Sequence, residues 1–180
     1  MLKPCQLTDE VSMRVLRPGD APALAAAYIR NRDYLSSWEP VRADEYYSEK
    51  WQRADINKRF AAAEAGEGFS CGLFAGDSIV GRFNLAGIIR GPFQSAGLGY
   101  WVDGQYAGRG LASAAVRSIV KAARYELGLH RIEASTLLHN TGSQRVLLKA
   151  GFQQIGMAPR YLKIAGTWQD HNLYQVLLHD

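Results

Sequence analysis

This 180-residue chain carries only two cysteines, Cys5 and Cys71, and they stand far apart in sequence. No secretory signal pattern opens the chain, so they are read as free thiols in a cytoplasmic compartment rather than a disulfide framework. No apolar run reaches the roughly 18 residues of a membrane span, which argues against a membrane role. There is no dense basic stripe either. Scattered along the chain, 21 Lys and Arg against 17 Asp and Glu leave a net charge of +4. A nucleic-acid module concentrates its positive charge, so no direct nucleic-acid binding is expected. Repeats, low-complexity tracts and linkers are missing as well. Residues 1–180 are therefore read as one domain, with 47% hydrophobic residues available for a core. No metal ligand is assigned.

What is present falls into strand and helix patterns. Val11 to Leu16 alternates apolar residues with Ser12 and Arg14, as a half-buried strand does. Asp20, with Pro22 in the first turn, opens a helix through Ala23–Tyr28. The loop Asp33–Arg42, holding Trp38 and Pro40, leads to a second helix across Asp44–Ala65 that Gly66 and Gly68 end. Phe69–Ala75 and Ser78–Ala86 form a hairpin, and Ala96–Val102 adds a third strand. A helix from Gly110 to Gly128 places Leu111, Ala115, Ile119 and Ala122 on one face. His130–Leu138 is the next strand and Ser143–Ala150 a short helix, while Gln153–Met157 and Asn172–Leu178 complete the sheet. This order predicts an α+β fold with a mixed, mostly antiparallel central sheet flanked by helices.

The run from Leu98 to Ala112 says most about chemistry: an apolar strand, a short turn, a glycine loop and a helix start. Glycines let a backbone pass close to a ligand, and the first N–H groups of a helix are unpaired and electropositive. Together they predict a diphosphate site, with Arg109 as a fixed charge over it. A Walker loop needs Gly-Lys-Ser/Thr, but Gly110 is followed by Leu111 and Ala112. A dinucleotide fingerprint needs a third glycine where Ser113 stands, and its acid would have to be the poorly placed Glu133.

The remaining pattern resembles the pyrophosphate loop of the GCN5-related N-acetyltransferases, written Q/R-x-x-G-x-G/A. Mapped onto Ala107-Gly108-Arg109-Gly110-Leu111-Ala112, it has Ala107 in place of the usual Gln or Arg. A second segment, Asn140-Thr141-Gly142-Ser143 with Gly151-Phe152, is similar to the family's N-x-x-S…G-F motif. Its Asn amide is both donor and acceptor, suited to a pantetheine arm, and equally suited to capping the following helix. Asn31-Arg32-Asp33-Tyr34-Leu35, Trp38-Glu39-Pro40-Val41-Arg42, Arg90-Gly91-Pro92-Phe93, His130-Arg131-Ile132 and Tyr161 through His171 resemble the family's RimJ/RimL branch, nearest RimJ. The resemblance runs from about Val11 onward. It implies a fold in which strands Ala96–Val102 and His130–Leu138 run parallel, splay at one end and hold acetyl-CoA in the gap. It also implies acetylation of the N-terminal alanine of a ribosomal protein. Tyr100, Trp101, Val102, Gly108, Arg109, Gly110, Leu111, Ala112, Ser113, Asn140 and Ser143 are the residues expected to bind the cofactor.

For catalysis, the tyrosine that many members place seven residues after the motif Asn is Leu147 here. Ser143 matches the serine that the RimL-type pattern assigns as acid. The glutamate other members carry five residues before the Asn is Ser135, and the RimL-type carboxylate lies near Leu162, so both are missing. Glu133 shares a strand face with Ser135 and is the favoured base. Glu39 and the pair Asp170–His171 are the alternatives. Trp38 and Glu39 are the expected acceptor contacts, Trp38 as an apolar wall. Two rival readings stay open: acetylation of a small amine such as an antibiotic, polyamine or amino-acid conjugate, or a non-catalytic acyl-CoA-binding ribosome-assembly protein. Monomer and homodimer are both compatible with the chain.

Overall fold

In a computed structural model, which describes residues 2–180, eight strands form one sheet. They are β1 (Cys5–Gln6), β2 (Val11–Val15), β3 (Phe69–Ala75), β4 (Ser78–Ile89), β5 (Ser95–Val102), β6 (Arg131–Leu137), β7 (Gln153–Ile164) and β8 (Thr167–Leu177). Their order across the sheet is β1-β2-β3-β4-β5-β6-β8-β7. Five helices pack around it: α1 (Ala21–Arg30), α2 (Arg32–Leu35), α3 (Glu49–Glu64), α4 (Leu111–Tyr125) and α5 (Thr141–Lys149).

The burial of β3 explains the layering. Six of its seven residues are buried, the pattern of a strand covered on both faces. Phe69, Cys71 and Leu73 pack with Ala115, Ile119 and Ala123 of α4, whereas Phe74 packs with Leu24 of α1 and Ile56 of α3. Arg82 on β4 is the largest fully buried side chain, and its charge is met by Asp55 of α3 at 2.6 Å and the Ser70 hydroxyl at 3.0 Å. Those partners make its burial tolerable.

Every neighbouring pair of strands is antiparallel except one. β5 and β6 run parallel, and only Ser95, Ala96 and Gly97 pair, with Arg131, Ile132 and Glu133. β5 continues to Val102 and β6 to Leu137, so beyond Gly97 the two strands part in the middle of the sheet. The splay implied by the sequence resemblance is therefore present.

Several boundaries differ from the sequence reading. The loop Asp33–Arg42 begins inside a one-turn helix, α2. The long second helix is two pieces: a 3-10 turn at Asp44–Tyr47, and then α3, because Ser48 is extended and caps the new helix through the Trp51 N–H. The final strands are far longer than Gln153–Met157 and Asn172–Leu178. They form one hairpin turning between Ile164 and Thr167, with irregular register at Gln154/Gly156 and Ala158/Leu162. Pro159 lies in the second irregularity, and Arg160 there has φ 49°, with its N–H donating to Asp170 Oδ1 at 2.8 Å. Such interruptions hide alternation from a period-two reading. No helix among the described residues is long and apolar enough to cross a membrane.

Candidate active site

Where β5 and β6 part, a cleft of about 620 Å³ opens. Tyr100, Trp101 and Val102 at the end of β5 line it, with the glycine loop and first turn of α4, the residues His139 to Ser143, and Tyr34, Leu35 and Trp38.

The glycine loop has the conformation its composition demands. Gly108 and Gly110 sit at φ 76° and 78°, in the left-handed region where a side chain is strained. Gly110 is the N-cap of α4 and offers no side-chain cap. The first-turn N–H groups at Leu111, Ala112 and Ser113 are therefore left to a ligand, at the positive end of a helix four turns long. A β-carbon at either glycine would meet no heavy atom within 4 Å, so the space beside the loop is open. These residues fit the diphosphate of acetyl-CoA. Because the two left-handed positions are 108 and 110, the motif register begins at Gln105, which supplies the Gln that the register from Ala107 lacks. Arg109 does not line the cleft; it is exposed, with its guanidinium 4.9 Å from the Tyr106 ring centroid.

A buried latch holds the loop's entrance. Asp103, 1% exposed, accepts from Arg30 Nε and Asn31 Nδ2, both at 2.8 Å, and from the Gln105 N–H at 2.9 Å. Burial alone would raise its pKa, but these donors outweigh that and hold the carboxyl below its ordinary value. Asn31 Oδ1 in turn accepts the Gly104 N–H at 3.1 Å. The end of α1 thus fixes the start of the loop.

The second wall starts from Asn140, the N-cap of α5, whose Oδ1 accepts the Ser143 N–H at 3.0 Å. This capping role coexists with Asn140's place in the cleft lining. The Ser143 hydroxyl lies 2.8 Å from the Tyr100 hydroxyl across the gap, and the Tyr100 ring stacks on Phe83 with centroids 5.0 Å apart. Burial pushes the Tyr100 phenol up to about 12, with its hydrogen bond to Ser143 pulling the other way. Arg145 and Lys149, which belong to neither motif, also face the cleft. Their spacing of four from Thr141 was the available signal, since it puts all three on one face of α5, and all three line the cleft. Leu147 is fully buried in the core, where no hydroxyl is offered.

The acceptor-side candidates are more dispersed. Trp38 lies against His139, ring centroids 5.4 Å apart, so the loop after α2 meets the loop before α5. Glu39 follows it and, like Glu133, does not line the cleft, its Oε2 3.9 Å from Arg42 Nε and its carbonyl accepting the Ala165 N–H at 3.0 Å. Burial raises the Glu39 pKa and outweighs the pull of Arg42 and Arg82. Glu133 does not line the cleft. It sits where the parallel pairing ends, its side chain 42% exposed and 3.4 Å from Arg131. Four residues of strand, about 13 Å, separate it from Leu137 at the end of β6. Asp170 is engaged by the Arg160 N–H, and His171 is buried with Nδ1 3.0 Å from the Gln169 carbonyl; neither lines the cleft.

The acetyltransferase (GNAT) domain family matches residues 10–153. The chain is 38% identical over 172 residues to the "Probable N-acetyltransferase YjcK" of Bacillus subtilis, covering 94% of this chain and 95% of that one. It is 35% identical over 170 residues to the [ribosomal protein uS5]-alanine N-acetyltransferase of Escherichia coli, covering 92% and 87%. A solved structure of Mycobacterium smegmatis RimJ in complex with CoA-disulfide superposes with a TM-score of 0.87 at 29% identity, covering 93% of this chain and 81% of that one. A glycine loop before an uncapped helix, placed at the parting of two parallel strands, is what an acyl-CoA diphosphate and arm require. The chain belongs to the GNAT family of acetyl-CoA-dependent N-acetyltransferases, in its RimJ/RimL branch.

Proposed function

We propose that this enzyme acetylates the N-terminal α-amine of a ribosomal protein, with alanine as the first residue, by direct transfer from acetyl-CoA. The observation that supports the reading is Trp38 on the cleft wall, with Glu39 next to it in sequence and outside the lining. Trp38 offers an apolar wall to a methyl-sized side chain, and Glu39 offers a carboxylate to a cationic amine. Kinship with the uS5-alanine enzyme of Escherichia coli supports the same acceptor.

In this reading, the backbone at the end of β5 polarises the thioester carbonyl. Past Gly97 the edge of β5 facing β6 has no strand partner, and Val102 lines the cleft. An α-amine has a pKa near 8, so about a tenth or more is already neutral at pH 7 and a base assists rather than decides. Glu39 takes that role because its burial raises its pKa toward the operating range, where a carboxylate is a better proton acceptor. Glu133, favoured by strand alternation alone, is set aside for its exposure and its distance from the end of β6. Ser143 protonates the departing thiolate. Thiol release from acetyl-CoA, measured with alanine-initiated peptides beside polyamines, aminoglycosides and aminoacyl conjugates, tests the proposal. Turnover with the peptides alone is expected. Turnover confined to small amines overturns the acceptor, and no turnover with any amine favours a non-catalytic acyl-CoA-binding role in ribosome assembly.

A further inference from the structure

Tyr100 sits on β5, not on the helix where the family motif places an acidic tyrosine, and its hydroxyl has one close partner. That partner is Ser143 Oγ at 2.8 Å; the Ser143 carbonyl is farther, at 3.4 Å. Phe83 stacks flat against the Tyr100 ring at an interplanar angle of 5°, so the ring has little freedom to swing away. Ser143 is held as firmly from below, its N–H bound to the Asn140 cap in the first turn of α5. Both hydroxyl-bearing residues line the same cleft.

Two hydroxyls in contact share one hydrogen, and their acidities decide which gives it. A phenol is a stronger acid than an alkanol, so the favoured direction is Tyr100 donating and Ser143 accepting. That choice leaves the Ser143 proton without a partner in the pair, free to point into the cleft. Were Ser143 the donor instead, its proton would be turned away from any ligand.

We infer that Tyr100 is a positioning residue for the transfer reaction: by donating to Ser143 Oγ it aims the serine proton at the leaving sulfur of acetyl-CoA. The inference rests on the reading of Ser143 as the acid. In the step, the amine nitrogen bonds to the acetyl carbon and the carbon–sulfur bond breaks, its electron pair going to sulfur. Sulfur takes the Ser143 proton while Tyr100 keeps its own and holds Ser143 Oγ in place. The proton lost by the amine, passed through Glu39 and solvent, returns to the serine oxygen, so one proton leaves nitrogen and one arrives on sulfur.

Tyr100→Phe removes the hydroxyl and keeps the stack on Phe83. With an alanine-initiated peptide, kcat should fall about tenfold, the worth of one well-aimed hydrogen bond, while the acetyl-CoA Kd and the melting temperature stay near wild type. Ser143→Ala should cost about 100-fold in kcat, and Tyr100→Phe/Ser143→Ala should be no slower than Ser143→Ala alone. A wild-type kcat for Tyr100→Phe, beside a slow Ser143→Ala, overturns the positioning role and leaves the serine acid standing. A wild-type kcat for Ser143→Ala overturns the serine acid and the inference with it. Losses that multiply in the double variant, or a Tyr100→Phe effect seen only in acetyl-CoA affinity, overturn the inference too.

Discussion

The two halves of the site are made of different materials. The cofactor half is built largely from backbone: two left-handed glycines, the uncapped start of α4, and the edge of β5 beyond Gly97. The proposed acceptor half draws on distant segments, with the Trp38 ring on the loop after α2 against the His139 ring before α5, and the Glu39 backbone bonded to the hairpin between β7 and β8. A backbone site tolerates few changes of conformation but many of side-chain identity. A side-chain site behaves the other way, so acceptor choice can change while the cofactor half stays put.

The largest expected break in this contrast is Gly110→Val. A β-branched residue at φ 78° is strained, and its side chain enters the space beside the loop. Acetyl-CoA affinity by calorimetry should fall about 100-fold or more, with the acceptor half unaltered in its spectra. Unchanged affinity in a folded variant would show that the loop does not bind the diphosphate.

A smaller effect, confined to the acceptor half, is expected for Glu39→Gln. At neutral pH the rate should drop about tenfold and recover partly as pH rises toward the amine's own pKa near 8, where solvent does the deprotonating. As the proposed base, Glu39 would have to be ionised, and its pKa is raised, so wild-type activity should decline on the acid side at a higher pH than an unperturbed carboxylate would give. Glu133→Gln should leave the profile within about twofold of wild type. If pH rescue appears in Glu133→Gln and not in Glu39→Gln, the base returns to β6.

The smallest effect is expected for Arg109→Ala. Its guanidinium is exposed and lies over Tyr106, outside the cleft wall, so acetyl-CoA affinity should change less than about threefold. A loss as large as that of Gly110→Val would mean that a charge, and not the backbone, dominates the cofactor half.

The same contrast explains what was legible in the chain. Gly108, Gly110, Asn140 and Ser143 are local, because a glycine loop or a cap needs its residues within a few positions of each other, and all four line the cleft. The strand before the loop and the amphipathic α4 were readable for the same reason. The Asp103 latch was not, since its partners Arg30 and Asn31 are more than seventy residues away in sequence. Nor was the neighbour of Ser143, because Tyr100 reaches it across the splay from another strand. Alternation points to Glu133, but alternation reports a face of a strand and not how far along it a site lies.

The two outer edges of the sheet differ in how readily a foreign strand could pair with them. An unpaired strand edge is a template for a foreign strand, and the risk grows with its length and flatness. At one end the edge strand, β1, is two residues long. At the other, β7 runs for twelve residues with apolar Ile155, Met157 and Leu162 about half exposed, which alone would invite aggregation. Pro159 has no N–H to give, and the irregular pairing from Ala158 to Leu162, with Arg160 in a left-handed turn, bends the edge near its middle. A foreign strand could therefore pair with this edge only in two short stretches, on either side of the irregular segment from Ala158 to Leu162.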